Sequence, residues 1–352
     1  MIVKESDFTQ MIMNHAASKG IVRQATIEIT NYCNYRCPHC YIAGSNTAYI
    51  DITSYKKIID ELYKGGCIWL LITGGEPFLH RAFIEMYRYA SAKMKVTVFS
   101  IGYKLNDEII DLFIEIPPDR LEFSIYGATE KTYDEFTGIA GSFGIFMDNM
   151  IKLKKNKVAF TLKVPIMKYN WAELHQMETI AKKLNVRFRT DAFILPSFHD
   201  QYYARNIRVD PASVIDYEMS THPELFRTIS LDNYSPTANL WECNAGENSL
   251  HIDAFRRISV CGFARSKQIQ WIDNETTITD AQKKLLEWKS SFGAIDNNSM
   301  CAGCNLRAIC RFCPEINLME NGDSNCAISW NCEYAHLFAD KKQVMETKDN
   351  VY

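Results

Sequence analysis

The sequence predicts an α/β fold whose strands run parallel and alternate with helices. Between residues 25 and 190, short runs rich in β-branched and aromatic residues alternate with segments in which apolar residues recur every three or four positions. Repeated βαβ units of this kind form either a doubly wound sheet or an incomplete barrel, and both bind ligands beyond the carboxyl ends of their strands. Functional residues are therefore expected directly after the strands.

The predicted elements follow one another without a break in the alternation. The predicted strands are Ala25–Thr30, Trp69–Thr73, Val96–Ser100, Leu121–Ile125, Ala159–Val164 and Val186–Thr190. The predicted helices are Ser54–Tyr63, Arg81–Lys93, Asp107–Ile114, Phe143–Lys154 and Trp171–Leu184. Each predicted helix thus connects two parallel strands, and such connections are right-handed.

The composition limits the partners and the compartment to be expected for the protein. The 352 residues carry a net charge of −3, which gives no electrostatic reason to expect a nucleic-acid partner. The apolar stretch around residues 68–72 is far too short to span a membrane, and residues 1–7 lack the apolar core of a signal peptide. We therefore expect a cytoplasmic protein without a membrane partner. In that reducing compartment, twelve cysteines indicate metal or catalytic roles rather than disulfides.

A cluster of cysteines follows the first predicted strand. Cys33, Cys37 and Cys40 stand at a C-x3-C-x2-C spacing. Three thiolates can hold a [4Fe–4S] cluster by three corners, which leaves the fourth iron open to a substrate or cofactor. The competing interpretations are a zinc knuckle and chance cysteines in a loop.

The second predicted strand ends in a turn that also suits ligand binding. It runs into Thr73-Gly74-Gly75-Glu76-Pro77. Paired glycines let the backbone approach a ligand closely, Glu76 offers an acceptor for an ammonium group, and the proline stiffens the turn. Alone, such a sequence is usually only a turn.

The carboxyl third carries a second series of cysteines. Eight cysteines are the number needed to ligate two complete four-iron clusters. A zinc ribbon is the competing interpretation, but its two C-x2-C pairs are usually separated by about 15–20 residues, far more than here. The series comprises Cys243, Cys261, Cys301, Cys304, Cys310, Cys313, Cys326 and Cys332.

Taken together, these motifs resemble a known family over roughly residues 25 to 340. The first cysteine loop and the Gly-Gly-Glu-Pro turn one βα unit later resemble radical S-adenosylmethionine enzymes, and the second cysteine series resembles the SPASM auxiliary-cluster domain. The resemblance implies a partial (βα)6 TIM-type barrel followed by a small cysteine-rich SPASM domain. The expected divisions are an N-terminal extension at 1–24, the barrel at 25–194, a bridging segment at 195–240, the SPASM domain at 241–340 and a tail at 341–352.

The resemblance implies S-adenosylmethionine as cofactor, chelated to the open iron of the first cluster through its amino and carboxylate groups. Ser100 stands where relatives have a Thr-Asn-Gly or Ser-Asn-Gly turn, although the run here is Ser100-Ile101-Gly102. A lysine aimed into the barrel mouth would pair with the cofactor's carboxylate, whereas a lysine with a packed stem would reach water. The implied cofactor contacts are Gly74, Gly75, Glu76, Ser100, Ser124, Lys163 and Asn170.

Two auxiliary [4Fe–4S] clusters are implied as well. The family pattern assigns Cys243, Cys261 and Cys313 to the nearer cluster. It assigns Cys301, Cys304, Cys310 and Cys332 to the farther one. The chain departs from the pattern in three ways: Arg256 replaces a common glycine, the final spacing is x2 where x3 is usual, and Cys326 has no fixed place. Cys326 completes the nearer cluster, acts in redox or hydrogen-atom chemistry, or is an exposed thiol.

The implied function is that of an enzyme generating a 5′-deoxyadenosyl radical to modify a ribosomally synthesised peptide, by a carbon–carbon or thioether cross-link or by epimerisation. The alternatives are a side-chain oxidase that forms formylglycine, resembling sulfatase-maturing enzymes, and an iron-sulfur electron carrier. Implied partners are the precursor peptide and a reductant such as flavodoxin or ferredoxin. Because only about 24 residues precede the first strand, a separate leader-peptide-binding protein, or binding by the barrel and bridge directly, is also expected.

Asp191 is the candidate acid–base residue. It follows the sixth predicted strand in Phe188-Arg189-Thr190-Asp191, so its carboxylate is expected to project into the barrel mouth, where a substrate proton would leave. The alternative is an aspartate that caps a loop or helix.

Overall fold

The computed structural model describes residues 5–42, 46–197, 203–228 and 235–349, and the side chains of 11–346 within those ranges. Across these ranges, nine strands form one sheet in the order β6-β5-β4-β3-β2-β1-β7-β8-β9. The strands are β1 Gln24–Thr30, β2 Trp69–Gly74, β3 Lys95–Ser100, β4 Arg120–Ser124, β5 Thr161–Pro165, β6 Arg187–Asp191, β7 Ser249–Ile252, β8 Arg257–Ser259 and β9 Ile269–Gln270.

Helices connect the parallel strands and cover the sheet. They are α1 Glu5–Ser18, α2 Ile52–Lys64, α3 Phe83–Ser91, α4 Asp107–Glu115, α5 Glu130–Thr137, α6 Ser142–Lys155, α7 Leu174–Leu184, α8 Tyr203–Ile207, α9 Pro211–Thr221, α10 Pro223–Thr228, α11 Ile278–Ser290, α12 Pro314–Asn321 and α13 Ser329–Asp349. Short 3₁₀ turns occupy Pro77–Leu79 and Trp171–Glu173. In the described part of the chain, no helix is both long and apolar enough to cross a bilayer.

The predicted α/β architecture is confirmed. The six predicted strands correspond to β1–β6, which pair in parallel with their sequence neighbours. Each predicted helix is present as well, although the last begins with the 3₁₀ turn at Trp171–Glu173 before it becomes α-helical at Leu174. Within residues 25–190 the prediction omitted α5, which is short and mostly polar; it named no helix outside that range.

Local sequence explains where the connecting helices begin. Asp51 caps α2 by accepting a hydrogen bond from the backbone N–H of Ser54 at 2.8 Å, and Asn106 caps α4 by accepting one from Ile109 at 3.0 Å. Both helices then bury an apolar face against the sheet; Ile58 and Ile59 of α2 are fully buried. Burial of such side chains, at about 1.5–3 kcal/mol each, holds the helices in place.

The strand register brings the ends of β1–β6 to one edge of the sheet. Thr30 at the end of β1 lies opposite Gly74 at the end of β2. Ser124 pairs with Lys163, and Pro165 pairs with Asp191. Residues that follow these strands therefore lie near one another, as parallel βα topology requires.

The carboxyl third continues the same sheet. Strand β7 pairs in parallel with β1, so that Gln24 lies opposite Ser249, and β8 and β9 add antiparallel strands beyond it. Helix α13 packs on α9 and α10, where the rings of Phe226 and Phe338 stack at 4.4 Å between centroids. The two cysteine-bearing regions are thus joined through a shared sheet.

Candidate active site

The cysteine loop leaves the carboxyl end of β1 and gathers its three thiols. Cys33, Cys37 and Cys40 are each half-buried. Burial, together with the negative charge that Cys33 and Cys40 carry when ionised, raises the pKa of Cys37 well above its usual value. Burial, followed by the charge of Glu76, raises the pKa of Cys33 to about 12, with Cys40 also contributing. The three sulfurs therefore lie close enough to interact, and a metal centre would replace their protons.

Backbone and side-chain hydrogen bonds fix the conformation of the loop. The Arg36 guanidinium donates to the carbonyl oxygens of Cys33 at 2.8 Å and Tyr35 at 3.0 Å. The backbone N–H of Arg36 donates to the carbonyl of Thr137 at 2.8 Å, and the N–H of Cys40 donates to that of Cys37 at 3.1 Å. Helix α5, which the sequence analysis omitted, thus anchors the loop through its last residue.

The Gly74-Gly75 pair serves a different contact from the one expected. A Cβ atom on Gly74 would lie 2.0 Å from the carbonyl oxygen of Thr30, and one on Gly75 would lie 2.2 Å from that of Tyr32. The N–H groups of Gly75 and Glu76 donate to these same carbonyls at 2.8 and 2.9 Å. The glycines therefore allow the end of β2 to pack directly on the first residues of the cysteine loop.

Glu76 is a buried carboxylate with three protein partners. Its side chain has no exposed surface. Oε1 accepts hydrogen bonds from the N–H of Phe78 at 2.9 Å and the hydroxyl of Ser100 at 2.8 Å, while Oε2 accepts one from the N–H of Ile101 at 2.7 Å. Burial raises the pKa of Glu76 to about 7, against the lowering effect of these hydrogen bonds. Glu76 and Ser100 thus join the ends of β2 and β3 beneath the cysteine loop.

Lys163 is a cation without a carboxylate partner in the described part of the chain. Its ammonium lies 4.7 Å from the ring centre of Phe99, and no described carboxylate lies within ion-pair distance of it. Burial, followed by the charge of Arg189, lowers the pKa of Lys163. The same ammonium also acts on the cysteine loop, because burial and the charge of Lys163 lower the pKa of His39 to about 4. Lys163 therefore places beside the loop a positive charge that has no direct ion pair in the described structure, although Glu122 and Asp191 act on it from farther away.

The remaining predicted cofactor contacts lie in different surroundings. Ser124 ends β4 half-buried and hydrogen-bonds the Tyr126 hydroxyl, whose pKa is raised by burial and by the nearby charge of Cys37. Asn170 is fully buried, and its amide donates to the carbonyl of Pro165 at 3.0 Å and accepts from the N–H of Met167 at 2.9 Å. Its amide thus stabilises the turn after β5 through hydrogen bonds to the backbone.

Asp191 lies at the end of β6, as the sequence predicted, and contacts Arg311 of the carboxyl third. Its Oδ1 accepts a hydrogen bond from the N–H of Phe193 at 3.1 Å and lies 3.3 Å from the Arg311 guanidinium. Its side chain remains 35% exposed. The carboxylate therefore caps its own turn and still reaches solvent-accessible space.

Three side chains of the cysteine loop carry buried polar atoms without partners. Within the described structure, these are both amide atoms of Asn34, the hydroxyl of Tyr35 and Nδ1 of His39. Unpartnered buried polar groups are costly, so such atoms indicate a ligand that the protein itself does not supply. The grouped thiols, the Lys163 ammonium and these unpartnered atoms fit an iron-sulfur cluster with a bound zwitterionic cofactor.

The cysteines of the carboxyl third fall into two groups. Burial and the charges of Cys304 and Cys301 raise the pKa of Cys310 to about 12, and Cys332 acts on it as well. The pKa of Cys313 is likewise raised to about 12 by burial, with Cys261 and Cys243 adding their charges. These groups match the two ligand sets that the family resemblance implied. Cys326 lies beside Cys301 and Cys332, and so accompanies the farther set rather than the nearer one.

The spacing within the groups matters for the choice of metal. In the described structure, no three Cys, His, Asp or Glu side chains converge closely enough to bind a single metal ion. A tetrahedral zinc site needs sulfurs about 2.3 Å from one ion, whereas a four-iron cluster holds its cysteines farther apart around a larger inorganic core. A zinc ion and a four-iron cluster thus require different spacings of the same thiols.

Buried cations hold the second set of cysteine loops. The Lys289 ammonium donates to the carbonyls of Cys243 at 2.6 Å and Ala245 at 3.1 Å. The fully buried Arg307 donates to the carbonyls of Thr237 at 3.0 Å and Asn239 at 2.9 Å. Each cation donates to backbone carbonyls that lack a partner in a helix or sheet. These hydrogen bonds stabilise the irregular loops.

Sequence reasoning missed one network that links the two cysteine regions. Glu28 in β1 is buried, accepts a hydrogen bond from His251 at 3.0 Å and lies 2.5 Å from the Arg265 guanidinium in an ion pair. Burial alone would raise the pKa of Glu28, but His251 and Arg265 lower it. The signal was a single charged residue, Glu28, within the strand. The network ties the strand before Cys33 to the loop after Cys261.

Comparison with known proteins agrees with this arrangement. Residues 27–179 match the family model of the Radical SAM superfamily. Over 323 residues the chain is 25% identical to an AdoMet-dependent heme synthase of Methanosarcina barkeri, which covers 80% of this chain and 90% of the relative. It is 27% identical over 248 residues to the antilisterial bacteriocin subtilosin biosynthesis protein AlbA of Bacillus subtilis, covering 67% of this chain and about half, 54%, of AlbA.

The fold is also shared with a solved structure. Streptococcus suis SuiB bound to its precursor peptide SuiA superposes with a TM-score of 0.70, covering 94% of this chain and 81% of SuiB at 14% identity. The resemblance in fold extends beyond the barrel to the cysteine-rich end. The cysteine loop and the turn after β2 both lie within the matched residues 27–179, so this part of the protein is a Radical SAM domain and the protein is an enzyme.

Proposed function

We propose that this enzyme binds S-adenosylmethionine at a [4Fe–4S] cluster held by Cys33, Cys37 and Cys40, and modifies a ribosomally synthesised peptide. The observation that carries the proposal is the grouping of these three thiols in one loop, with the Lys163 ammonium close enough to lower the pKa of His39 in that loop. Bound together, the cluster and cofactor supply an electron and a 5′-deoxyadenosyl radical for hydrogen abstraction. The protein supplies binding, orientation and protection from water.

Individual residues divide these tasks. Lys163 binds the carboxylate of the cofactor through a charge-assisted contact. Glu76 and Ser100 hold the turns after β2 and β3 in the conformation that frames the cofactor's amino end. Asp191, at the barrel mouth, accepts the substrate proton that leaves after hydrogen abstraction.

Support for a peptide substrate comes from the relatives. AlbA belongs to the biosynthesis of the bacteriocin subtilosin, and SuiB has been solved with its precursor peptide. The fold match with SuiB covers 94% of the present chain and 81% of SuiB. A cross-link or an epimerisation of a precursor peptide is therefore the proposed reaction, with flavodoxin or ferredoxin as the cytoplasmic reductant and a separate leader-peptide-binding protein as a further partner.

The auxiliary cysteine groups add a second part to the proposal. Cys243, Cys261 and Cys313 would hold one [4Fe–4S] cluster, and a second would be held by Cys301, Cys304, Cys310 and Cys332. In a peptide-modifying enzyme such clusters accept the electron that a product radical releases.

A second candidate substrate is a tetrapyrrole. The heme synthase of Methanosarcina barkeri aligns over 90% of its own length, more than AlbA does. Its name indicates an AdoMet-dependent synthesis of heme.

One assay separates these functions. The anaerobically reconstituted enzyme is incubated with S-adenosylmethionine, reductant and either precursor peptides encoded beside its gene or a porphyrin. Mass spectrometry then reads 5′-deoxyadenosine together with the substrate mass. A peptide that loses a pair of hydrogens, or exchanges one hydrogen in heavy water, supports the proposal. A modified porphyrin with unchanged peptides would overturn the peptide assignment, and formylglycine in a sulfatase peptide would favour a side-chain oxidase.

A further inference from the structure

The nearer auxiliary group has one thiol too few. In the described structure it consists of Cys243, Cys261 and Cys313, whereas a complete cysteine-ligated four-iron cluster has four sulfur ligands. Cys326 was the remaining candidate, but it lies beside Cys301 and Cys332. One iron of the nearer cluster is therefore left without a cysteine.

A buried carboxylate lies beside this group. Glu315 is only 5% exposed, and its Oε1 is buried without a hydrogen-bond partner among the described residues. Its other oxygen, Oε2, accepts hydrogen bonds from the hydroxyl and from the N–H of Ser266, the latter at 3.2 Å. A buried carboxylate oxygen without a donor is costly unless a cation compensates it.

The local backbone places this carboxylate next to two of the three thiols. Cys313 is the N-cap residue of helix α12, and Glu315 lies in the first turn of that helix. Ser266, which holds Oε2, belongs to the loop that follows Cys261, where the N–H of Ala264 donates to the Cys261 sulfur at 3.4 Å. Glu315 thus bridges the turns that carry Cys261 and Cys313.

We propose that Oε1 of Glu315 is the fourth ligand of the nearer auxiliary [4Fe–4S] cluster. This inference rests on the proposed function, since it requires that the cysteine group holds a cluster. It also assigns a role to that cluster: with every iron ligated by the protein, it transfers electrons and does not bind the substrate. Cys326 is then a spare thiol next to the farther cluster.

The ligand type has a measurable consequence. A carboxylate oxygen is a harder and weaker electron donor to iron than a thiolate. Replacement by cysteine is therefore expected to stabilise the oxidised cluster and lower its reduction potential, because ligand identity and surroundings set the potential of such clusters.

The test uses the full chain with Cys33, Cys37 and Cys40 replaced by Ala, so that only the auxiliary clusters remain. The reconstituted background protein is compared with versions that add Glu315→Ala, Glu315→Gln, Glu315→Cys or, as a matched control, Cys326→Ser. Each is analysed for iron content, for its electron paramagnetic resonance spectrum with and without cyanide, and for its potential by redox titration.

We expect the background protein to hold about eight irons and to show no spectral change with cyanide. Glu315→Ala and Glu315→Gln should each open one iron, so that cyanide shifts one cluster signal. Glu315→Cys should resist cyanide and lower one potential, and Cys326→Ser should match the background. A cyanide shift already present in the background, or created by Cys326→Ser, would overturn the ligand assignment alone. A background protein without clusters would overturn the proposed auxiliary clusters themselves.

Discussion

Ser100 donates its hydroxyl hydrogen to Oε1 of Glu76 at 2.8 Å, and this bond joins the ends of two neighbouring strands under the cysteine loop. The carboxylate has no exposed surface and also receives the N–H groups of Phe78 and Ile101. Glu76 therefore organises the turns that frame the cofactor, and its removal affects both stability and binding.

Glu76→Ala is expected to lower the free energy of unfolding by about 2–4 kcal/mol, because it leaves three buried donors without their acceptor. It should also weaken S-adenosylmethionine binding while the iron of the cysteine loop is retained. Denaturant unfolding and an anaerobic binding titration measure the two effects. Ser100→Ala removes one donor only and should cost about 1 kcal/mol. Unchanged stability and affinity in Glu76→Ala would contradict this role.

Lys163→Met should weaken S-adenosylmethionine binding by about 1.5–3 kcal/mol, since it removes a charge-assisted contact to the cofactor carboxylate. Stability should not fall, because the ammonium makes no ion pair in the described structure and lies partly desolvated over Phe99. An isothermal titration under anaerobic conditions measures the affinity. Lys168→Met, which removes an exposed lysine bound to a backbone carbonyl, serves as the control. Equal affinities in the two variants would exclude Lys163 from the cofactor site.

The hydrogen bonds to the Glu173 carboxylate predict that the free energy of unfolding depends on pH. Burial would raise its pKa, but hydrogen bonds from Thr132 at 2.6 Å, Thr129 at 2.7 Å and the N–H of Ala128 at 2.6 Å lower it overall. A folded pKa below the unfolded one stabilises the protein above the unfolded pKa, and this contribution is lost as pH falls through the folded pKa.

Glu173→Gln should therefore lower the free energy of unfolding by about 1–2 kcal/mol at neutral pH and flatten its decline in acid. Urea unfolding across a pH series measures both. The parent protein and the variant should converge below the pKa of the folded carboxyl group. A constant difference between them at every pH would show that Glu173 contributes packing rather than charge.

Asp191→Asn should keep all clusters and still form 5′-deoxyadenosine, yet lose modified peptide, because radical formation precedes proton removal. Arg311→Gln is the matched control, since it breaks the ion pair at 3.3 Å while keeping the carboxylate. A partly exposed pair of this kind contributes about 0–1 kcal/mol, so neither change should unfold the protein. Product formed at the parental rate by Asp191→Asn would leave the residue a turn-capping role.

The sequence predicted the barrel strands because their apolar and β-branched runs are strong and evenly spaced. It did not predict β7, since Ser249–Ile252 is only four residues long and is specified by its pairing with β1 rather than by its own pattern. Helix α5 was missed because Glu130–Thr137 is short and mostly polar. Tertiary contacts thus determined the elements that local periodicity left open.

The site likewise contains residues that the sequence predicted and others that only the folded structure identifies. The sequence pointed to Cys33, Cys37 and Cys40 because the three residues lie in one short loop, where their spacing is visible in the sequence itself. The role of Gly74 was not readable, since it depends on the approach of the Thr30 carbonyl from another strand. Glu315 was overlooked because only the folded chain brings its carboxylate to Ser266, in the loop that follows Cys261.

The iron content of the protein and of its Cys33/Cys37/Cys40→Ala variant, measured together with S-adenosylmethionine cleavage, decides whether the β1 loop holds the catalytic cluster. After anaerobic reconstitution, the parent protein should contain about twelve irons and the variant about eight, with no 5′-deoxyadenosine formed by the variant. Cys67→Ala, which alters a buried cysteine outside all three groups, should match the parent protein in both measurements. Zinc as the dominant metal, or cofactor cleavage that persists in the triple variant, would contradict the assignment.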